Sequence, residues 1–247
     1  MSTLIAVVRS LATYVGVGLY ILVVGPLALL LVVPFRLKGF LFGIGHAGAV
    51  LALGLAGIRY RVTGGGRVPR DRAVVFCANH QSNVDPPVLF RALHPRLHIL
   101  YKAGLRRIPI MGMAMDVGGF VPVDRSNREQ AMASVARAAD ALRAGHSFLI
   151  FPEGTRSRTD DLLPFKKGGF IMAIDAQAPI VPVAISGGRD AMRKGSALIH
   201  PALVQVRIGE PILTEGLTID DRDQLIATVR ERIEALLRQS ETSPWNP

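Results

Sequence analysis

One stretch of the chain decides how the rest is interpreted, an apolar run that ends in polar residues: Ala73-Val74-Val75-Phe76-Cys77-Ala78-Asn79-His80-Gln81-Ser82-Asn83-Val84-Asp85-Pro86-Pro87. Its β-branched and aromatic residues predict a buried strand. Two prolines close it, and proline fits the first turn of a helix although it cannot donate to a sheet. A strand, a polar loop and a helix start are therefore predicted, and functional residues are often carried on such loops.

Two residues of this loop suggest acid–base chemistry. His80 is the natural general base, because imidazole titrates near neutral pH. Asp85 follows five residues later, a spacing that does not fit one face of a continuous helix but that a tight turn can close. A carboxylate on Nδ1 would leave Nε2 free to accept a proton, as in a serine-protease triad. Taken alone, His80 in a turn and Asp85 as a helix cap explain the same residues.

The third member of such a triad is missing. The chain contains no Gly-x-Ser-x-Gly motif, and Ser82 is too close to His80 along the chain to be well placed for activation. A base without a protein nucleophile predicts that the substrate supplies the attacking hydroxyl.

The composition indicates a membrane-associated protein. Of the 247 residues, 49% are hydrophobic and 19% are charged. The net charge is +10 and no acidic residue precedes Asp71, which favours contact with anionic lipid headgroups. No nucleic-acid partner is predicted, because no arginine–aromatic platform or nucleic-acid motif is visible. Cys77 is the single cysteine, so no intrachain disulfide forms.

The N-terminal part, residues 1–62, is predicted to be a membrane-associating helical hairpin. Leu11–Val33 and Gly39–Ile58 carry no charge, and a short basic turn separates them. The first run would be about 34 Å long as a helix, enough to cross a hydrocarbon core of about 30 Å. Arg36 and Lys38 in the turn disfavour crossing, so we favour partial insertion from one side, at the inner or cytoplasmic membrane with the catalytic domain on the cytoplasmic side.

The remainder is predicted to be one α/β domain over residues 67–240, which Gly64–Gly66 links to the hairpin. Strands are predicted at Ala73–Ala78, Leu97–Tyr101, Gly119–Val123, Ser147–Phe151, Ile180–Ile185 and Leu203–Ile208. Helices are predicted at Pro87–Leu93, Arg128–Arg143, Lys167–Ala176 and Asp220–Arg238. This alternation indicates a mixed, largely parallel sheet flanked by helices.

A second polar loop follows the predicted strand Ser147–Phe151. It reads Pro152-Glu153-Gly154-Thr155-Arg156-Ser157-Arg158, and ligands collect beyond the carboxyl ends of strands in open α/β sheets. Arg156 offers a planar fork suited to phosphate, while Glu153 could hold that arginine or meet a substrate hydroxyl. A solvated, salt-bridged loop explains this segment equally well when it is considered alone.

Together the two loops resemble the 1-acyl-sn-glycerol-3-phosphate acyltransferase family, also called the lysophosphatidic acid acyltransferase or PlsC-like family. The resemblance rests on Asn79-His80-x4-Asp85 followed by Phe151–Arg158. A second block of the family is similar to Lys102-Ala103-Gly104-Leu105 with Pro109, Gly112, Gly118, Gly119, Phe120 and Asp124-Arg125, and a fourth to Val181-Pro182-Val183. The hydrophobic hairpin is also found in the family.

The resemblance implies an enzyme of phospholipid biosynthesis, a 1-acylglycerol-3-phosphate O-acyltransferase. It would move a fatty acyl group from acyl-CoA or acyl-carrier protein to the sn-2 hydroxyl of 1-acyl-glycerol-3-phosphate, without a cofactor or covalent intermediate, and so form phosphatidic acid. His80 would deprotonate the acceptor and Asp85 would orient His80. By the same resemblance, Gly118 and Gly119 would supply oxyanion donors, and substrate would be held by Lys102, Arg125, Glu153, Gly154, Thr155 and Arg156.

Two alternatives stay open at this point. One keeps the chemistry with another acceptor, a lysophospholipid with a larger headgroup or a lyso-ornithine lipid. The other is a catalytically inactive membrane-binding scaffold. No metal site is predicted: His94 and His98 are four residues apart as in some zinc sites, but Pro95 breaks a helix there and no third ligand is evident.

Overall fold

The computed structural model describes residues 3–35, 37–124 and 126–241. In these ranges the helices are α1 (Thr3–Phe35), α2 (Lys38–Ala56), α3 (Asp85–Ala92), α4 (Met111–Val117), α5 (Arg128–Arg143), α6 (Gly168–Asp175), α7 (Gly188–Ala191) and α8 (Arg222–Glu241). The strands are β1 (Arg59–Thr63), β2 (Val75–Ala78), β3 (His98–Lys102), β4 (Val121–Val123), β5 (Phe148–Ile150), β6 (Ile180–Ser186) and β7 (Leu203–Ile208).

The strands form one mixed, largely parallel sheet, which confirms the predicted fold class. Their order within the described chain is β1-β7-β6-β2-β5-β3-β4, and only the β6–β7 pair is antiparallel. Both faces are covered: Phe76 and Leu149 pack towards α3, whereas Phe148 and Phe170 pack in a second cluster that includes Val229 of α8. A strand buried on both faces explains why β2 reads as an uninterrupted apolar run.

The six predicted strands are present within one or two residues, but β1 was not predicted. Its sequence alternates arginine with apolar residues and most of it is exposed, as expected of an edge strand. Since β1 pairs with β7, residues 59–62 belong to the sheet rather than to the hairpin. Gly64 is not in a linker either: its φ is 80°, and an added Cβ would lie 2.2 Å from the Ile208 carbonyl oxygen, so it turns the chain tightly against β7.

The two N-terminal helices pack on each other and on the domain. Arg9 of α1 donates to the Leu55 carbonyl at the end of α2 over 3.1 Å, which satisfies a terminal carbonyl of that helix. Ser10 Oγ accepts from the Ile199 backbone N–H over 2.7 Å, and Tyr14 donates to the Ala197 carbonyl over 2.8 Å. The hairpin is therefore fixed to the loop that precedes β7.

The opposite side of α1 presents large apolar side chains to the exterior. Both helices are long and apolar enough to cross a membrane by length and composition. Exposed apolar side chains occur along the whole length of α1, among them Leu4, Leu11, Leu19, Leu22, Leu27 and Leu30. A continuous apolar surface of this kind is typical of a membrane-contacting helix.

Candidate active site

The first polar loop brings His80 and Asp85 together at the carboxyl end of β2. His80 Nδ1 lies 2.9 Å from Asp85 Oδ2, and 16% of the histidine side chain is exposed while the aspartate is fully buried. With Nδ1 as the donor, Nε2 carries the free lone pair. The His80 ring stacks on Phe151 with 4.1 Å between centroids, so its orientation is fixed from two directions.

The Asp85 carboxylate is held by the turn that precedes α3. Its Oδ2 also accepts from the backbone N–H groups of Gln81 and Ser82, each over 2.7 Å. Its Oδ1 is buried and has no hydrogen-bond partner among the described residues, and a Cβ added at Gly188 would lie 2.3 Å from this atom. Gly188 at the start of α7 therefore leaves the space that the carboxylate occupies.

Asn79 aligns the end of β2 with its neighbour β6. Its side-chain amide donates to the Ile185 carbonyl over 2.9 Å and its Oδ1 accepts from the Ile185 N–H over 2.7 Å. These two bonds extend the strand pairing beyond Ala78, the last paired residue of β2. No role was predicted for Asn79, although a polar residue directly after a buried strand is a signal that could have indicated one.

Glu153 connects the second polar loop to the first. Its Oε1 accepts from the His80 backbone N–H and its Oε2 from the Leu163 N–H, both over 2.9 Å. Burial raises the pKa of this carboxyl, while the two backbone hydrogen bonds act in the opposite direction. Glu153 therefore holds the His80 backbone. Of the two roles that the sequence left open, its carboxylate oxygens bind backbone amides instead of Arg156 among the described residues, and contact with a substrate hydroxyl stays a prediction. The Ser157 N–H donates to the His80 carbonyl over 2.8 Å and closes the same contact.

Gly154, Thr155 and Arg156 follow on the surface next to His80. Gly154 has a φ of 70°, which the tight turn requires. Lys194 donates to Thr155 Oγ1 over 3.1 Å and to the Arg156 carbonyl over 2.8 Å. The Arg156 guanidinium is partly exposed and forms no ion pair within the described part of the chain, so its fork is available to an anion.

Lys102 lies at the same carboxyl-terminal end of the parallel strands as His80, but two strands away. It ends β3, and β5 lies between β3 and β2, which places its backbone about 10 Å from that of β2 at about 4.8 Å per strand. Its side chain is exposed and is long enough to approach a ligand bound between these strands. Arg125 lies outside the described residues.

Gly118 and Gly119 lie at the amino-terminal end of the parallel strands, away from His80, which follows a carboxyl end. Gly119 precedes β4 and faces His98, and the strand pairs place His98 opposite Phe148 and Phe148 opposite Val75. His80 is five residues beyond Val75, or about 16 Å at roughly 3.3 Å per residue. The expectation that these glycines supply oxyanion donors is therefore wrong, because they precede a parallel strand whereas His80 follows one.

Neither Ser82 in the first polar loop nor Cys77 in β2 is placed to act as a nucleophile. Ser82 is fully buried and its hydroxyl donates to the Met192 carbonyl over 2.8 Å. Burial, assisted by the charge of Glu153, raises the pKa of the Cys77 thiol, which keeps it protonated inside β2. The arrangement can thus activate an external hydroxyl, whereas it offers no residue of this loop for acylation.

An apolar cavity of about 180 Å³ lies between the hairpin and the domain. Its walls come from α1, α2, α3 and α4 and include Gly25, Phe42, Phe90, Met115 and Phe120. Met111 and Met115 of α4 line it, whereas Met113 is exposed. A cavity with such walls suits a hydrocarbon chain.

Comparisons with known proteins point in one direction. The sequence model of a family described as Acyltransferase matches residues 59–186, so its match begins with β1. The mouse protein named 1-acyl-sn-glycerol-3-phosphate acyltransferase alpha is 33% identical over 190 residues, which are 76% of this chain and 67% of the mouse protein. The Saccharomyces cerevisiae 1-acyl-sn-glycerol-3-phosphate acyltransferase is 34% identical over 173 residues, 69% of this chain and 57% of the yeast protein.

A solved structure shares the fold over the entire chain. It is the crystal structure of the 1-acyl-sn-glycerophosphate (LPA) acyltransferase, PlsC, from Thermotoga maritima. The two chains superpose with a TM-score of 0.87 and 24% sequence identity, and the superposition covers 100% of each. The α/β domain and the helical pair in front of it therefore form one shared fold.

Proposed function

Because the chain belongs to the 1-acyl-sn-glycerol-3-phosphate acyltransferase family, we propose that it acylates the sn-2 hydroxyl of 1-acyl-glycerol-3-phosphate and so forms phosphatidic acid. The donor is a fatty acyl thioester, acyl-CoA or acyl-carrier protein. The acyl group passes directly from sulfur to the acceptor oxygen, without an acyl-enzyme intermediate. The reaction is a step of phospholipid synthesis at a membrane.

The His80–Asp85 pair carries this proposal. In the proposed reaction Nε2 of His80 takes the proton of the acceptor hydroxyl while the oxygen attacks the thioester carbonyl. The tetrahedral intermediate then expels the thiolate, which takes the proton back from the imidazolium. Asp85, 2.9 Å from Nδ1, keeps the ring in the required tautomer and stabilises its charged form. General-base help of this kind is worth about 10²–10⁴-fold in rate.

The surroundings of the pair support an external nucleophile over a scaffold function. Ser82 and Cys77 are buried and the Ser82 hydroxyl donates to the Met192 carbonyl, yet 16% of the His80 side chain is exposed. A pair retained only for folding would have no reason to leave the imidazole partly exposed. Arg156, beside His80 and without an ion pair among the described residues, is suited to the phosphate of a short acceptor.

We place the protein on one side of the membrane, with the hairpin lying along the bilayer surface and inserted into one leaflet. The contacts of Ser10 and Tyr14 with residues 197–199 and of Phe42 with Phe120 fix both helices along the domain. A hairpin held in this way cannot cross the bilayer without drawing a polar domain into it. The cytoplasmic face is proposed from the basic residues that flank the hairpin.

The reaction can be tested with the purified full-length chain in detergent. Palmitoyl-CoA is supplied with 1-oleoyl-lysophosphatidic acid, and the released thiol and the lipid product are measured. We expect phosphatidic acid from the wild type and none above background from His80→Ala. Product formation only from lysophosphatidylcholine, lysophosphatidylethanolamine or a lyso-ornithine lipid would support the other acceptor class, and no product from any acceptor would support the scaffold.

The phosphate contact is tested by Arg156→Ala. Loss of a charge-assisted contact should raise the KM for lysophosphatidic acid about tenfold or more and leave kcat much less affected. Arg232→Ala, an exposed arginine on α8 at the far face of the domain, is the matched control and should leave both constants unchanged. An unchanged acceptor KM in Arg156→Ala would assign the phosphate to Lys102 or Arg125 instead.

A further inference from the structure

We infer that a basic concavity beside the second polar loop binds the phosphates of the nucleotide part of coenzyme A, which makes acyl-CoA the donor. The basic concavity is lined by Arg158, Arg189, Arg193, Lys194 and Gly195 and has a volume of about 480 Å³. The inference rests on the proposed acyl transfer for its biological meaning, although the binding of coenzyme A is measurable without turnover. None of these residues except Arg158 lies in the polar loops singled out in the sequence.

Two chain segments form the walls, and polar contacts hold them together. Arg189 of α7 donates to the Arg158 carbonyl over 3.2 Å and pairs with Asp160 at 2.9 Å. Lys194 reaches the other side of the same loop at Thr155 and at the Arg156 carbonyl. The loop and the segment after α7 are thus held together through Arg189 and Lys194, so the backbone that carries Arg158 and Arg193 is positioned before any ligand arrives.

The charge in the basic concavity is not neutralised by the protein. Four of its five lining residues are cationic and none is acidic. Asp160 pairs with Arg189, but Arg158, Arg193 and Lys194 form no ion pair with the described residues. Three cations that converge without a carboxylate repel one another, and such an arrangement is stabilised by a polyanion.

The position fits the donor better than the acceptor. Ser157, next to Arg158, donates to the His80 carbonyl, and the segment that carries Lys194 also accepts from Ser82 through Met192. The basic concavity therefore adjoins the catalytic pair without containing it. A lysolipid phosphate is a few bonds from the reacting hydroxyl and suits Arg156. The phosphates of coenzyme A are separated from the thioester by the pantetheine arm, so they must bind beside the reacting centre.

The shape distinguishes a nucleotide from a larger partner. Its volume lies within the range of about 300–1,000 Å³ that small-molecule sites occupy. These side chains line a concavity, whereas an anionic bilayer presents a flat surface. The recess contains no aromatic residue, so recognition would depend on the phosphates and little on the adenine ring.

The experiment compares donors that carry successively less of the nucleotide part of coenzyme A. Initial rates are measured for palmitoyl-CoA, palmitoyl-(3′-dephospho)-CoA and palmitoyl-pantetheine with the full-length wild type, with Arg193→Glu and with Arg158→Glu/Arg193→Glu. We expect each charge reversal to raise the KM for palmitoyl-CoA about tenfold or more, with the KM for palmitoyl-pantetheine and for the acceptor unchanged. Arg232→Glu is the control of equal charge change on the opposite face.

A second measurement does not depend on turnover. Calorimetric titration of the full-length chain in neutral detergent with free coenzyme A should show binding that weakens with added salt and is lost in the double variant. Adenosine 3′,5′-bisphosphate should compete. If no donor is turned over, the proposed function fails, yet this titration still decides whether the basic concavity binds coenzyme A.

Three results would overturn the inference. The first is an unchanged KM for palmitoyl-CoA together with an unchanged coenzyme A titration in the double variant. The second is a KM increase confined to palmitoyl-acyl-carrier protein, which would assign the basic concavity to the carrier protein. The third is loss of binding to phosphatidylglycerol-containing vesicles with donor kinetics intact, which would assign it to the membrane surface.

Discussion

His80 and His98 lie at opposite ends of the strands of the same sheet, and their difference shows what makes an imidazole a base. Each adjoins a strand end and each contacts a phenylalanine ring. His80 meets a buried carboxylate at 2.9 Å and keeps 16% of its side chain exposed. His98 is 4% exposed, and its Nδ1 has no hydrogen-bond partner in the part of the chain that the structure describes. The rings of Phe42, Phe120, Phe148 and His146 surround it. The carboxylate and the access to solvent distinguish them.

The surroundings of His98 keep it neutral. Burial, followed by the charges of His146 and Lys38, lowers the pKa of His98 to about 4. A neutral histidine in an aromatic cluster that joins α2 to the sheet contributes packing. The difference between the two sites is thus one of electrostatic surroundings, since the residue type is the same.

The largest expected effect comes from removing each histidine in turn. His80→Ala should lower kcat by about 10²–10⁴-fold, because it removes the base. His98→Phe should keep kcat near that of the wild type, because a phenyl ring suits the aromatic cluster and the site lies at the other end of the strands. Steady-state rates with palmitoyl-CoA and lysophosphatidic acid test the contrast. A comparable fall in kcat in both variants would show that the sites at the two ends of the strands are coupled.

The second effect concerns stability and belongs to His98 alone. Its pKa is about 4 in the folded protein and about 6.5 in the unfolded chain, so the unfolded state binds the proton first as the pH falls. The stability that neutral His98 contributes is fully present above pH 6.5 and is lost as the pH falls towards 4. The loss amounts to about 3 kcal/mol at most.

The difference between wild type and His98→Phe isolates this contribution. Denaturant unfolding in detergent at pH 7.5, 6, 5 and 4.5 should show the wild type losing more free energy of unfolding than the variant across that range. Groups that do not interact with His98 cancel in the comparison, whereas His146, whose charge acts on His98, enters it through that coupling. Parallel curves for the two proteins would contradict the assigned pKa.

Local sequence predicted much of the fold and of the first loop, because the signals there are short in range. Residues 73–87 contain all of these signals: the buried run of β2, the double proline that opens α3 and the His80–Asp85 spacing. The edge strand β1 was not predicted, because its arginines face solvent and its partner β7 is far away in sequence. The pairing of Asn79 with Ile185 and the basic concavity were missed for the same reason.

Two features of the site needed information that the sequence does not contain. Gly118 and Gly119 belong to a sequence block of the family, and a block gives order along the chain but not the end of the strands at which its residues lie. The predicted strand Gly119–Val123 already placed them at its amino end, so parallel topology was the missing step. For Glu153 the sequence left open a bond to Arg156 or to a substrate hydroxyl, and it did not show the two backbone N–H groups that the carboxylate binds.

A third comparison substitutes one glycine at each end of the strands, Gly188 near the catalytic pair and Gly119 near His98. In Gly188→Ala the new methyl group would meet Asp85 Oδ1 at 2.3 Å, so the carboxylate must move, and a displacement of about 1 Å costs about 10²-fold in rate. Gly119→Ala places alanine at a φ of 79° beside His98, which costs about 1 kcal/mol of stability without touching His80. We therefore expect kcat to fall only in the first variant.

The readouts separate the two effects. The kcat of each variant is compared with its denaturation midpoint, because a variant that merely unfolds loses both together. Gly188→Ser should behave like Gly188→Ala, since either side chain brings a Cβ. If Gly119→Ala lowered kcat and left the denaturation midpoint unchanged, Gly118 and Gly119 would again be candidates for the oxyanion donors.

The smallest expected effect on rate comes from Ser82→Ala, and it is the sharpest test of a site without a protein nucleophile. The Ser82 hydroxyl donates to the Met192 carbonyl over 2.8 Å and is turned away from His80. Its removal leaves a buried carbonyl without that donor and should cost about 1–3 kcal/mol of stability, with kcat changed by no more than a few-fold at a temperature where the variant is folded. Acid-quenched reactions of the wild type with radiolabelled palmitoyl-CoA should likewise leave no label on the protein. A loss of kcat as large as that of His80→Ala, together with label retained by the wild type, would make Ser82 the acylated residue, and His80 would then activate the enzyme's own hydroxyl in place of the lipid's.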